Sequence, residues 1–121
     1  MSNNHRTRVV ITGLGALTPI GLDVPSNWDS LINGRSGTRF EQEAADQGFA
    51  CHVAGRVPQF KPQDYLPLRE ARRMPRFAQL AVAAAVQAVQ DANMEMQKID
   101  RERVGVLIGT AFGGAMDEED E

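Results

Sequence analysis

Residues 104–110 (Val-Gly-Val-Leu-Ile-Gly-Thr) are apolar at consecutive rather than alternate positions. Successive side chains of a strand point to opposite faces, so such a run suits a strand only in a sheet covered on both sides. A second segment, residues 8–13 (Arg-Val-Val-Ile-Thr-Gly), is β-branched, ends in glycine and makes the same demand. Two such strands separated by helical segments predict a layered α/β fold. The 121 residues hold too few other elements to cover both faces of both strands. The length alone would suit one domain, but the pattern reads as part of a larger sheet domain.

Residues 75–92 predict the longest helix, with proline at its start and an alanine-rich run free of internal glycine or proline. Alanine on every side implies close approach of other backbone, hence a buried helix. Asp23 offers an N-cap to a second helix through Trp28, Leu31 and Ile32, spaced i, i+3, i+4, with Gly34 as its stop. Prolines at 58, 62, 67 and 75 break the intervening chain into short pieces. These predict a helical turn at 64–66 and a short helix over 67–74 with Pro67 near its first position. Residues 35–48 are polar and predict an irregular surface excursion, residues 49–57 have strand composition, and residues 99–102 predict a turn. No internal repeat or linker is visible.

Composition excludes several classes. A single cysteine, Cys51, rules out an internal disulfide and makes a reducing compartment the expectation. The polar N-terminus shows no secretory signal, and the longest apolar run, residues 80–86, falls far short of the ~20 residues of a membrane span. A soluble, cytoplasmic chain is expected. The formal net charge is -3, yet residues 117–121 hold five of the sixteen acids. The rest carries thirteen basic against eleven acidic side chains, a slightly basic body with an acidic end.

Few residues carry chemistry. Gly13-x-Gly15 follows a predicted strand, but the third glycine of a dinucleotide fingerprint would fall at Thr18, before Pro19, where no helix begins. A tight structural turn is the reading, and no nucleotide binding is expected. Cys51 and His52 would point to opposite faces of a strand, and no third group completes a dyad, so Cys51 reads as a small core residue. His5, His52 and Cys51 make no metal-ligand spacing, so neither metal nor cofactor is expected. Arg69, Arg72 and Arg73 stand at i, i+3 and i+4, so one helical turn presents three guanidinium groups on one face. That cluster is either a solvated face partly balanced by Glu70 or a dock for an acidic partner or phosphate groups. Nucleic acid is disfavoured, because neither a larger basic surface nor interleaved aromatics accompany it. Residues 108–114 run from a strand into small residues around Phe112, a packed turn or a pocket wall.

In order and spacing, residues 8–21, 28–37, 69–91 and 105–114 together resemble the N-terminal part of a β-ketoacyl-acyl carrier protein synthase, the elongating condensing enzyme of type II fatty acid synthesis. The resemblance implies a thiolase-like fold of stacked α-β-α-β-α layers, of which residues 1–121 would be an N-terminal portion, and a homodimer with no membrane or nucleic-acid partner. It implies an acyltransferase reaction of lipid metabolism, a decarboxylative Claisen condensation of acyl and malonyl thioesters. A cysteine at a helix N-terminus carries the acyl chain, and two histidines promote decarboxylation and stabilise the oxyanion. The family places those three residues beyond residue 121. Cys51, His52 and His5 match none of them, so the isolated chain is expected to be an inactive, aggregation-prone fragment. Arg69, Arg72 and Arg73 align with the basic residues that dock the acidic acyl carrier protein. Phe112 aligns with the gate of the acyl pocket, where the family often has a smaller aliphatic residue; the phenylalanine here also suits a chain-length-factor or polyketide relative. A non-catalytic carrier-docking subunit is the alternative.

Overall fold

The computed structural model describes residues 7–111 and 113. Helix α1 spans Val24–Ile32, β1 Arg39–Phe40, α2 Gln42–Asp46, β2 Val53–Ala54, α3 Leu68–Ala71 and α4 Arg76–Asp91, with 3-10 turns at Pro62–Asp64 and Arg101–Arg103.

Helix α4 is the element on which the rest is seated, and its sequence explains how. Residues four apart form a ridge on a helix, and one ridge here is Ala84, Ala88 and Ala92. The chain at Gly13 and Gly15 lies directly on it. A Cβ on Gly13 would overlap the Ala88 carbonyl oxygen and stand 2.7 Å from the Ala92 nitrogen; on Gly15 it would overlap the Ala84 carbonyl oxygen and stand 2.9 Å from the Ala88 nitrogen. Only glycine over alanine allows this approach. The alternate residues supply hydrogen bonds: Leu14 N donates to Asp91 Oδ2 at 2.9 Å and Ala16 N to Gln87 Oε1 at 3.0 Å. Gln87 Nε2 donates in turn to the Leu22 carbonyl at 2.6 Å and to the Tyr65 hydroxyl at 3.0 Å. One glutamine thus joins three stretches of chain. The tight-turn reading of Gly13-x-Gly15 becomes a contact between extended backbone and helix.

Helix α1 begins where Asp23 predicts. Its carboxylate accepts from Ser26 N at 2.7 Å, and Ser26 Oγ meets the Asp23 backbone, closing a reciprocal capping box. Gly34, at φ +63°, terminates the helix. Its buried side is polar. Asn27 Nδ2 donates to the Gly21 and Asp23 carbonyls at 2.9 and 2.7 Å, its Oδ1 accepts from the Thr18 hydroxyl, and Ser30 Oγ donates to the Ile20 carbonyl at 2.7 Å. Trp28, Leu31 and Ile32, the expected apolar face, are exposed.

Among the described residues the apolar core is small: Phe60, Ala71 and Ala83, the last fully buried. The Arg76 guanidinium lies 4.5 Å from the Phe60 ring centroid and donates to the Val57 and Phe60 carbonyls at 2.8 and 3.3 Å. This anchors the loop before α3 to the first turn of α4. The rest of α4 is half-buried or exposed, not enclosed as its alanine content suggested.

The expected strands depart most from the sequence reading. Residues 8–13 and 104–110 make no strand pairing among the described residues; Val9 is 90% exposed and Leu107 98%. A strand exists only by virtue of a neighbour, and none is at hand. The paired strands are β1 and β2, antiparallel, with Arg39 opposite Ala54 and Phe40 opposite Val53. Hence residues 35–48 are not irregular throughout, for they hold β1 and α2, and only two residues of 49–57 are strand. The prolines do break this stretch into short pieces, but the turn expected at 64–66 is a 3-10 turn at Pro62–Asp64 and the helix expected over 67–74 covers only Leu68–Ala71, with Pro67 and Pro75 one position outside the helices they start.

Replacing Gly15 by Val should unseat residues 13–16 from α4: hydrogen exchange at Leu14 and Ala16 should accelerate by at least about tenfold. Unchanged protection would contradict the seating. Hydrogen bonding from the Ser26 hydroxyl, then from its backbone N–H, holds the Asp23 carboxyl below the usual carboxylate range. A carboxyl with a depressed folded-state pKa contributes stability above its unfolded value, and this is lost as pH falls below about 4. Asp23→Ala should weaken α1 by about 1 kcal/mol at neutral pH. Asp23→Asn should keep the cap and flatten the acid dependence of exchange in α1.

Candidate functional site

The turn carrying the arginine cluster is built by its flanking prolines. Pro67 opens α3, and the chain leaves the helix through Arg72, in αR geometry, as the tightened bonds Arg73 N to the Glu70 carbonyl (3.0 Å) and Met74 N to the Ala71 carbonyl (3.2 Å) replace the α pattern. Pro75 then starts α4. Arg69 sits within α3, Arg72 caps it and Arg73 follows, so all three lie within five consecutive residues around a single turn.

All three side chains are exposed. Among the described residues none forms a side-chain hydrogen bond or ion pair, and Glu70 pairs with none of them. Other arginines are engaged: Arg35 with Asp29 at 2.8 Å, Arg56 with Glu41 at 3.1 Å and Glu43 at 3.3 Å, and Arg76 with Phe60 and two carbonyls. The balancing role expected of Glu70 is thus not realised by contact. Three like charges on one turn repel, so the arrangement holds a cationic surface ready for an anionic one.

The turn is held from behind. Gln79, in the second turn of α4, uses its amide group as donor to both the Ala71 and the Met74 carbonyls, each at 2.9 Å. The sequence reading missed this residue. The available signal was a four-residue repeat along α4, Gln79, Ala83, Gln87 and Asp91: a ridge with alanine buried between side chains that reach other backbone.

The remaining candidates separate. Cys51 is exposed rather than in the core, because it precedes β2 on a peripheral hairpin; its thiol donates to the Val53 carbonyl at 3.6 Å. The His52 ring meets the edge of Phe40, with centroids 5.9 Å apart. Among the described residues neither side chain hydrogen-bonds a titratable group, and no cluster of metal-ligating side chains occurs. His5, Phe112 and residues 117–121 lie outside the described residues. An apolar cleft of about 460 Å³ runs between Val82, Val86 and Val89 of α4 and Met96, Val106 and Ile108. No helix among the described residues is long and apolar enough to cross a membrane.

Comparison with known proteins gives these features a setting. The chain is 43% identical over 125 residues to a 3-oxoacyl-(acyl-carrier-protein) synthase 2 of Synechocystis sp., covering all of this chain and 29% of that protein. It is 41% identical over 114 residues to the synthase of the same name from Staphylococcus aureus (strain COL), covering 94% of this chain and 27% of that one. The chain therefore spans less than a third of the length of these curated relatives. Among solved structures, the ishigamide ketosynthase/chain length factor superposes with a TM-score of 0.63 and 36% sequence identity, over 74% of this chain and 22% of the other. This likeness agrees with a ketosynthase-type α/β fold. Residues 6–121 match the family model described as the β-ketoacyl synthase N-terminal domain, and the chain belongs to that family.

Proposed function

We propose that residues 1–121 form the N-terminal part of the N-terminal domain of an elongating β-ketoacyl-acyl carrier protein synthase, and that their own contribution to the reaction is to receive the carrier. The observation that carries this reading is the unpaired, exposed trio Arg69, Arg72 and Arg73 at the positions where the family resemblance puts carrier docking. An acidic carrier relieves their mutual repulsion, so charge complementarity favours encounter and orientation together.

In this reading the condensation proceeds on residues supplied from outside this chain. A cysteine takes the acyl group as a thioester. Two histidines promote loss of carbon dioxide from the malonyl thioester and stabilise the oxyanion as the new carbon–carbon bond forms. Cys51 does not fill the first role, since it lies in an exposed loop before β2 and not at a helix N-terminus. The unpaired apolar segments 8–13 and 104–110 take their places as strands when the α-β-α-β-α layers are complete, in a cytoplasmic homodimer that needs neither metal nor cofactor. Phe112 gates the acyl pocket.

A second reading, a non-catalytic carrier-docking or chain-length-factor-like subunit, is favoured by the likeness to a ketosynthase/chain length factor and by phenylalanine at position 112.

Simultaneous Arg69→Glu, Arg72→Glu and Arg73→Glu substitution should lower affinity for holo-acyl carrier protein by at least about tenfold, most strongly at low salt. Retained capture in a pull-down would overturn the docking role. The isolated chain, given acyl and malonyl carrier protein, should form no β-ketoacyl product. Product formation would place catalytic groups within these residues.

A further inference from the structure

We infer that Gln79 is the positioning residue of the arginine turn: it fixes the direction in which Arg72 and Arg73 are presented. The inference rests on the docking role proposed above and adds the device that orients the patch. Helix α3 is four residues long, too short to hold its own geometry, since a first helical turn fixes several dihedral angles for a single hydrogen bond. What defines the turn must come from elsewhere. The two carbonyls that accept from Gln79 Nε2 belong to Ala71 and Met74, the residues on either side of Arg72 and Arg73. Both donor hydrogens of one amide are thus spent on the two ends of the segment that bears the cations. Gln79 itself is fixed by α4, where its backbone nitrogen donates to the Pro75 carbonyl at 3.1 Å, and its side chain is half-buried beneath the turn. Ala71, 3% exposed, seats the same segment against the core. The arginine side chains have no partner among the described residues, so this backbone clamp, rather than any side-chain contact of their own, sets where the guanidinium groups stand.

The site needs a side chain that donates to both carbonyls. Glutamate would turn two acceptors toward two carbonyls and add a negative charge behind the patch. Leucine fills similar volume but donates nothing, leaving the turn free to reorient while every arginine is retained.

The test uses the protein in its native assembly and holo-acyl carrier protein, in a double-mutant cycle with an independent structural readout. Gln79→Leu should weaken carrier binding by about three- to tenfold with the salt slope unchanged, because no charge is lost. In an Arg72→Ala/Arg73→Ala background the same substitution should have little further effect, which marks coupling between them. Amide exchange at Arg73 and Met74 should accelerate in Gln79→Leu while α4 beyond its second turn stays protected. An equal loss of affinity in both backgrounds, or unchanged exchange at Arg73 and Met74, overturns the positioning role. If Arg72→Ala/Arg73→Ala leaves affinity intact, the docking reading fails instead, and the exchange result alone decides whether Gln79 orients the turn.

Discussion

The seating of residues 13–16 on the alanine ridge of α4 is the contact from which the rest of the structure follows. Bare backbone at Gly13 and Gly15 touches Ala84, Ala88 and Ala92, while the amides of Leu14 and Ala16 are captured by Asp91 and Gln87. A larger side chain on either partner would separate them and break both hydrogen bonds, the exposed one at Leu14 and the part-buried one at Ala16. Once the segment is in place, the loop to Leu22 is led past Gln87, and α1 is fixed to that loop through Asn27 and Ser30.

Helix α4 therefore organises its surroundings more through polar side chains reaching backbone than through a large apolar core. Gln79 holds the arginine turn, Arg76 holds the loop at Val57 and Phe60, Gln87 holds Leu22 and Tyr65, and Asp91 holds Leu14. Hydrogen bonds are directional, so this scaffold sets geometry well even though, among the described residues, only Phe60, Ala71 and Ala83 are buried apolar residues. The same economy leaves much apolar surface uncovered: residues 9–11, 106–108 and the face of α1 at Trp28, Leu31 and Ile32. The first two lie in the segments whose sequence demands cover on both faces.

Legibility followed the range of the interactions. The N-cap at Asp23, the glycine stop at Gly34, the proline starts of α3 and α4 and the spacing of the three arginines rest on residues within four positions of one another, and each was visible in the chain. The pairing of Arg39–Phe40 with Val53–Ala54, the exposure of Cys51 and the reach of Gln79 depend on partners that local spacing does not specify. The strands expected at 8–13 and 104–110 failed for a related reason: apolar composition states what a segment needs, and pairing depends on whether a neighbour supplies it. The polar ridge of α4 lay between these cases, since its four-residue repeat is in the sequence but its inward orientation is not.

The sequence by itself determined helices α1 and α4 with their ends, the demand for a sheet covered on both faces and the family to which the motifs point, because each is encoded in short-range pattern. Tertiary structure alone decided that α1 buries its polar side, that glycines 13 and 15 seat extended backbone on a helix instead of forming a tight turn, and that among the described residues the arginines stand unpaired on a turn clamped by Gln79. Those outcomes depend on which side chain of a distant segment reaches which backbone atom, and that geometry exists only once the chain is folded.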